Sequence, residues 1–156
     1  MHLPALDRID RQLLEHLQTH GRASNLELAE LVSLSPAQVH RRHRRLEERG
    51  YISGYMARVP PVPLGLGVVA FIHLTMARGH ADELPRFNDR VAELPQVLEC
   101  YSVTGDFDYV LKVVARDLPS LSRFLMNTLM HMPGVSAVRS SVCLEEIKST
   151  TALPLE

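Results

Sequence analysis

Apolar residues recur at helical spacing through the first third of the chain, and they divide it into three predicted helices. The first is expected to begin at the cap Asp7 and to end at Gly21. The second begins with the capping box Ser24 to Glu27. A two-residue turn then leads into the third, so the pair forms a helix-turn-helix. The inward faces of the first two helices comprise Ile9, Leu13, Leu14 and Leu17, and Leu28, Leu31 and Val32.

The third helix, predicted over 35–50, has its own start and stop signals. Ser35 is the N-cap, Gln38 completes a capping box, and Gly50 supplies the left-handed residue that ends helices. The helix has a narrow apolar side and a basic side almost opposite to it. The apolar side comprises Val39, His43 and Leu46, and the basic side comprises Gln38, Arg41 and Arg45.

Two segments separate these helices from the rest of the chain. Residues 51–59 are rich in strand formers around Gly54, which predicts a small wing or the start of an extended connector. Residues 60–67 contain three prolines and two glycines, a composition that neither helices nor central strands tolerate. We therefore expect a first domain over 1–59, a semi-rigid linker over 60–67 and a second domain over 68–156.

In the second domain, strand and helix patterns alternate in the order βαββαβ. The predicted strands are 68–76, 97–104, 109–115 and 135–145, and the predicted helices are 81–93 and 118–131. This order implies an α+β fold of the ferredoxin-like type, an antiparallel sheet with both helices on one face. The other sheet face stays open, which on a small domain indicates dimerisation.

The composition is that of a packed globular protein, with 46% hydrophobic residues in 156. The first residues lack the basic and apolar segments of a secretory signal, so we expect a soluble, cytoplasmic protein. The predicted fold puts Cys100 and Cys143 on opposite edge strands, too far apart for a disulfide. Basic charge is concentrated in the first domain: residues 1–59 contain nine arginines against seven acidic residues, and residues 60–156 contain eight basic residues against eleven acidic ones.

The basic side of the third helix favours DNA as its partner. Guanidinium and amide groups pair with guanine and adenine edges in the major groove, and arginines also bind phosphates. A solvated surface helix is the alternative, but it would intersperse acidic residues among the arginines. We assign base contacts to Gln38, Arg41 and Arg45, and phosphate contacts to Arg42, Arg44 and the amide end of the helix near Ser35.

The turn 105–108 sets two carboxylates around Phe107. It is either a hairpin in which Asp106 accepts backbone hydrogen bonds or part of a ligand site, and its chemistry alone does not separate the two. Histidines at 16 and 20 and at 40 and 43 have helical spacing, but no Glu or Cys partner completes a zinc signature. We expect no metal and no cofactor.

Several segments of the chain resemble the Lrp/AsnC family (leucine-responsive regulatory protein and asparagine synthase regulator). The first domain resembles the family in its runs 6–10, 13–14, 21–22, 34–35, 45–47 and 50–55, and the second resembles the family's amino-acid-sensing RAM domain in 103–109, 132–135 and 145–148. His43 departs from the family, which usually has an apolar residue there. It is either a half-buried packing residue or a sign that the helix sits differently.

The resemblance implies a winged helix-turn-helix that binds double-stranded DNA, followed by a RAM domain that binds a small effector, commonly an amino acid, between dimers. The matching positions are Thr104, Gly105 and Asp106, with Met132 and Ser141 as further candidates. It also implies dimers, and an octamer of four dimers.

One enzymatic alternative has the same two-domain architecture, since siroheme decarboxylases resemble these regulators. The arginine cluster that begins at Arg41 is what a DNA-binding regulator needs and a tetrapyrrole enzyme does not obviously need. We therefore predict a transcription regulator without enzymatic activity.

Overall fold

The computed structural model describes residues 6–77, 79 and 81–155. The described residues form two compact units, one of 6–58 with 148–155 and the other of 59–147. The predicted second domain runs to residue 156, whereas by their contacts residues 148–155 group with the first unit, where Leu155 packs against the core.

The first unit consists of three helices, α1 (Arg8–Thr19), α2 (Asn25–Val32) and α3 (Pro36–Glu48). The predicted caps are confirmed, since side chains of Asp7, Ser24 and Ser35 each accept a hydrogen bond from a first-turn backbone N–H. Ser33 ends α2 in the left-handed conformation, which turns the chain directly into the cap of α3. The buried core comprises Leu13, Leu14, Leu17, Leu28, Ala29, Val39 and Leu46.

One local prediction for this unit is wrong, and the structure decides between the two alternatives of another. Leu31 is exposed, because the inward stripe of α2 runs through Leu28, Ala29 and Val32. There is also no wing: residues 51–61 contain no strand, so the alternative of an extended connector holds. The connector begins at Gly50, whose φ is +76°, and the N–H of Tyr51 donates to the Leu46 carbonyl at 2.9 Å, which ties the chain to the end of α3.

The second unit has the predicted βαββαβ order. It contains β1 (Val68–Met76), α4 (Leu84–Ala92), β2 (Val97–Ser102), β3 (Tyr109–Ala115), α5 (Leu118–Asn127) and β4 (Val135–Val142), with single 3₁₀ turns at Val62–Leu64, Ala81–Glu83 and Leu129–His131. All strand pairs are antiparallel and the sheet order is β2-β3-β1-β4. Cys100 and Cys143 therefore belong to opposite edges of the sheet and are free.

One face of this sheet carries the core and the other is partly apolar and exposed. Alternate residues of β1 and β3, such as Ile72 and Leu111, pack against Phe87 of α4 and Phe124 of α5. On the opposite face, Phe71 is 39% exposed. The helices therefore cover only one side of the sheet. No described helix is long and apolar enough to cross a membrane.

Gly134 precedes β4 with φ +75°, and a methyl group at this position would lie 2.9 Å from Cε of Met76. Gly65 in the same unit has the same φ with no atom within 4 Å of that position. We expect Gly65→Ala to destabilise the unit by about 1 kcal/mol from left-handed strain alone. Gly134→Ala should cost about 2 kcal/mol, because Met76 must also move. Native-state hydrogen exchange of the sheet amides measures both losses, and equal losses would show that Met76 yields freely.

Candidate nucleic-acid interface and effector turn

The amino end of α3 is closed by a reciprocal pair of hydrogen bonds. The Ser35 N–H donates to Oε1 of Gln38 at 3.0 Å, and the Gln38 N–H donates to Oγ of Ser35 at 3.3 Å. The oxygen of the Gln38 amide is therefore occupied by the cap. Its Nε2 makes no hydrogen bond within the part of the chain that the structure describes, which leaves this group as the donor that Gln38 can present outward.

Two of the predicted DNA-contacting arginines are bound by α1. Asp10, only 5% exposed, accepts from Nη1 of Arg42 at 2.8 Å and from Nη2 of Arg45 at 2.6 Å. Asp7 also accepts from Nη1 of Arg42, at 2.6 Å. Bonds from a charged donor to a buried carboxylate are among the stronger polar contacts in proteins. The arginine cluster is thus balanced by α1 as well as by the acidic residues of its own helix.

Two of these neighbours, Asp10 and Arg42, also lower the pKa of Asp7. The backbone N–H of Asp10 is the largest cause of the lowered Asp7 pKa, and Arg42 lowers it further. Because the folded pKa lies below the ordinary value, the contribution of Asp7 to stability is complete above that value. It is lost as the pH falls through the lowered folded pKa.

The other two arginines of the cluster face solvent. Arg44 donates through Nε to Oε1 of Glu48 at 2.9 Å, an exposed pair one helical turn apart. Surface pairs of this kind contribute little to stability and are easily exchanged for another anion. Arg41 is exposed and, among the described residues, makes none of the hydrogen bonds or ion pairs that engage Arg42, Arg44 and Arg45.

Of the two alternatives for His43, the structure has the half-buried packing residue. Its Nε2 is in short contact with the Tyr55 hydroxyl, which in turn donates to Oε1 of Glu47 at 3.1 Å. Burial, and then the bond to Glu47, raise the pKa of Tyr55 to about 12. The imidazole therefore connects α3 to the connector.

The second predicted histidine pair, His16 and His20, lies at the end of α1. The rings of His16 and His20 stack with centroids 4.4 Å apart at the end of α1. In residues 6–77, 79 and 81–155, no three His, Cys, Asp or Glu side chains are grouped as metal ligands would be.

The turn between β2 and β3 is held by Asp108. Its Oδ2 accepts from the Met76 N–H at 2.7 Å, and its own N–H donates to the Leu74 carbonyl at 2.9 Å. Gly105 adopts φ +121°, a conformation that favours glycine. Asp106 is exposed and makes no hydrogen bond within the described part of the chain. The hairpin alternative predicted Asp106 as the acceptor of backbone bonds, and the residue in that role is Asp108.

The five predicted effector residues do not all lie together in one chain. Thr104, Gly105 and Asp106 are exposed on the turn, and Met132 precedes β4 at the same end of the sheet. Met132 is 6% exposed and packs in the core. Ser141 pairs with Phe71 in the β1–β4 ladder, five strand positions or about 16 Å from Met76.

Sequence reasoning missed a cluster on the open sheet face beside the turn. The rings of His73 and Phe107 lie 4.7 Å apart, and the guanidinium of Arg139 lies 5.6 Å from the centroid of Phe107. Arg139 and His73 are register partners in the β1–β4 ladder. Their shared face could have been found from strand alternation once the pairing was known, but not before.

A helix-turn-helix with an arginine-rich third helix, joined to an antiparallel α+β unit, defines a two-domain DNA-binding regulator. The AsnC-type helix-turn-helix domain matches residues 6–47, and the Lrp/AsnC ligand binding domain matches residues 69–153. The chain belongs to the Lrp/AsnC family of transcription regulators.

The similarity to characterised relatives extends over nearly the whole chain. This chain is 42% identical to the leucine-responsive regulatory protein of Escherichia coli K12, and the match covers 97% of this chain and 92% of that protein. Transcriptional regulator NMB0573 of Neisseria meningitidis, solved as an L-Met complex, superposes with a TM-score of 0.93 at 39% identity, covering 96% of this chain and 97% of that one. The E. coli AsnC structure gives 0.86 at 27% identity, over 95% and 98%.

Asp10→Asn is expected to destabilise the first unit by about 2 kcal/mol, because an amide nitrogen would face a guanidinium across a buried site. Asp7→Asn should cost about 0.5 kcal/mol, since asparagine still caps the helix and Asp7 is half exposed. Native-state hydrogen exchange of the α1–α3 amides gives both free energies. Equal losses would show that Asp10 is no more important than its exposed neighbour.

Proposed function

We propose that the protein is a transcription regulator, not an enzyme, that binds double-stranded DNA through α3. It responds to an amino acid bound at the turn between β2 and β3, residues 103–108, here called the 103–108 turn. The observation that carries the DNA assignment is Arg41, an exposed guanidinium with no ion pair among the described residues, on a helix that is capped, packed and tied to α1. Family membership supports both halves of the proposal.

On DNA, the side chains of α3 divide by what the free protein leaves available. Arg41 and the Nε2 of Gln38 contact base edges. Arg44 exchanges Glu48 for a phosphate, and the first turn after Ser35 offers its backbone amides to another. Arg42 and Arg45 contribute the N–H donors that Asp10 and Asp7 do not use, Arg45 to a base edge and Arg42 to a phosphate.

Two copies are needed for a specific site. The exposed sheet face, with Phe71 at its centre, packs against the same face of a second copy, and four such dimers form an octamer. The two α3 helices of a dimer enter successive major grooves about 34 Å apart on a pseudo-palindrome.

The effector site combines the exposed carboxylate of Asp106 with the amides of the turn. Asp106 pairs with the α-ammonium group, and the backbone N–H groups near Thr104 and Gly105 hold the α-carboxylate. The relative solved with L-Met supports an aliphatic or thioether side chain, which suits an apolar wall near Met132. Ser141 is too far from the turn in its own chain, so it contributes from a neighbouring copy.

Replacing Arg41 tests the DNA contact. Arg41→Ala should weaken binding about 5- to 150-fold, equivalent to about 1 to 3 kcal/mol, on duplexes selected from a random pool by the parent protein. Arg90→Ala, which removes the same charge from an exposed site on α4, is the control and should leave affinity within about twofold. Unchanged affinity in Arg41→Ala would remove this residue from the interface.

Replacing Asp106 tests the effector site. In a thermal-shift screen against the twenty amino acids, a true effector at 100 times its Kd should stabilise the parent by about 2.7 kcal/mol. Asp106→Ala should lose this shift while Asp89→Ala, an exposed acidic residue on α4, keeps it. A full shift in Asp106→Ala would place the pocket elsewhere.

A further inference from the structure

The last described residues, 148–155, belong to a different unit from the strand that precedes them. β4 stops at Val142, and residues 148–155, here called the C-terminal strap, lie in the first unit with α1 to α3. The chain therefore crosses between the two units twice, once after Arg58 and once after Ile147.

A single side chain on α1 is bonded to the strap in both directions. Nε2 of Gln18 donates to the Leu153 carbonyl at 3.0 Å, and the Leu153 N–H donates to Oε1 of Gln18 at 2.5 Å. The primary amide thus matches the donor and the acceptor of one residue, as a neighbouring strand would. Such a pairing requires the strap backbone to lie in one position and one orientation. Nonspecific collapse of an apolar tail has no such requirement.

Two further contacts lie on either side of this bond pair. The side chain of Leu155 is half buried against the core of α1, α2 and α3. Nη2 of Arg58, at the other crossing, donates to the Ser149 carbonyl at 3.4 Å. The strap is therefore hydrogen-bonded at Ser149 and at Leu153 and packed at Leu155, all within one unit.

We infer that the C-terminal strap is a working part of the DNA-binding unit, closed on α1 of its own chain, and that Gln18 is the positioning residue that holds it. α1 binds the strap through Gln18 in its last turn and holds Arg42 and Arg45 through Asp10 in its first. The strap is covalently continuous with the effector-binding unit and is joined to α1, the helix that positions α3, by the hydrogen bonds of Gln18. The effect of the strap on DNA binding rests on the proposed function, whereas the closure of the strap on α1 does not.

Cross-linking tests the closure directly. In a chain with Cys100→Ser and Cys143→Ser, cysteines placed by Glu15→Cys, one turn before Gln18, and by Leu153→Cys leave the Gln18 bonds intact. A short bismaleimide should join them within one chain, giving a product of monomer mass. Adding Gln18→Ala should reduce the yield severalfold, and adding Gln12→Ala, the same residue type elsewhere on α1, should not.

Two results would overturn the closure. A product of dimer mass would show that the strap closes on a second copy, and a monomer product whose yield ignores Gln18→Ala would show that Gln18 does not hold it. Neither result depends on whether the protein binds DNA.

DNA affinity then tests the positioning role. It is measured well below the unfolding temperature, on duplexes selected by the parent, so that loss of stability alone leaves the Kd unchanged. Gln18→Ala should weaken binding about 2- to 30-fold, and Gln12→Ala should not. Cross-linking that depends on Gln18 with unchanged affinity would restrict the strap to stability and overturn its role in presenting α3.

Discussion

The buried carboxylate of Asp10 is the contact on which the presentation of α3 depends. Its Oδ1 accepts from Arg42 and its Oδ2 from Arg45. Displacing either guanidinium would leave one oxygen of a buried carboxylate without its charged donor. The apolar core beneath, with Val39 and Leu46, consists of non-directional contacts that do not by themselves fix the rotation of α3. Two directional bonds from one fixed acceptor remove that freedom, and the solvent face of the helix is thereby held in one orientation.

This arrangement also changes what the arginine cluster means. Four arginines in five positions look like an unbalanced charge, yet Arg42, Arg44 and Arg45 all have carboxylate partners in the protein alone. What remains for an anion is the exposed Arg41, the exchangeable Arg44 and the donors that the ion pairs leave unused. The same residues therefore contribute to folding and, in the proposed function, to DNA binding, with different N–H groups serving each role.

The sequence predicted best what is local along the chain. The capping box of Ser35 and Gln38 and the strand order of the second unit follow from spacings of a few residues or from the pattern of elements, and both are confirmed. The bond from Arg45 to Asp10 spans 35 positions, so helical spacing rules do not reveal it. The strap was missed for a similar reason: residues 148–155 have no helix or strand pattern, and their partner lies 135 positions away. Strand propensity favoured a wing as one of two alternatives for residues 51–59, but propensity does not form a strand without a partner strand.

The two aspartates of the 103–108 turn have different roles in the fold. Two aspartates lie two residues apart, and the structure uses Asp108 to join the turn to the end of β1 while Asp106 stays solvated. A carboxylate that already satisfies backbone donors has little to gain from a ligand, whereas a solvated one on a fixed turn loses little entropy on binding. Any effector bound there can shift the DNA-binding state only by the difference between its affinities for the two arrangements. The chain passes between the two units both before β1 and after β4, so each end of the effector-binding unit is covalently continuous with the first unit.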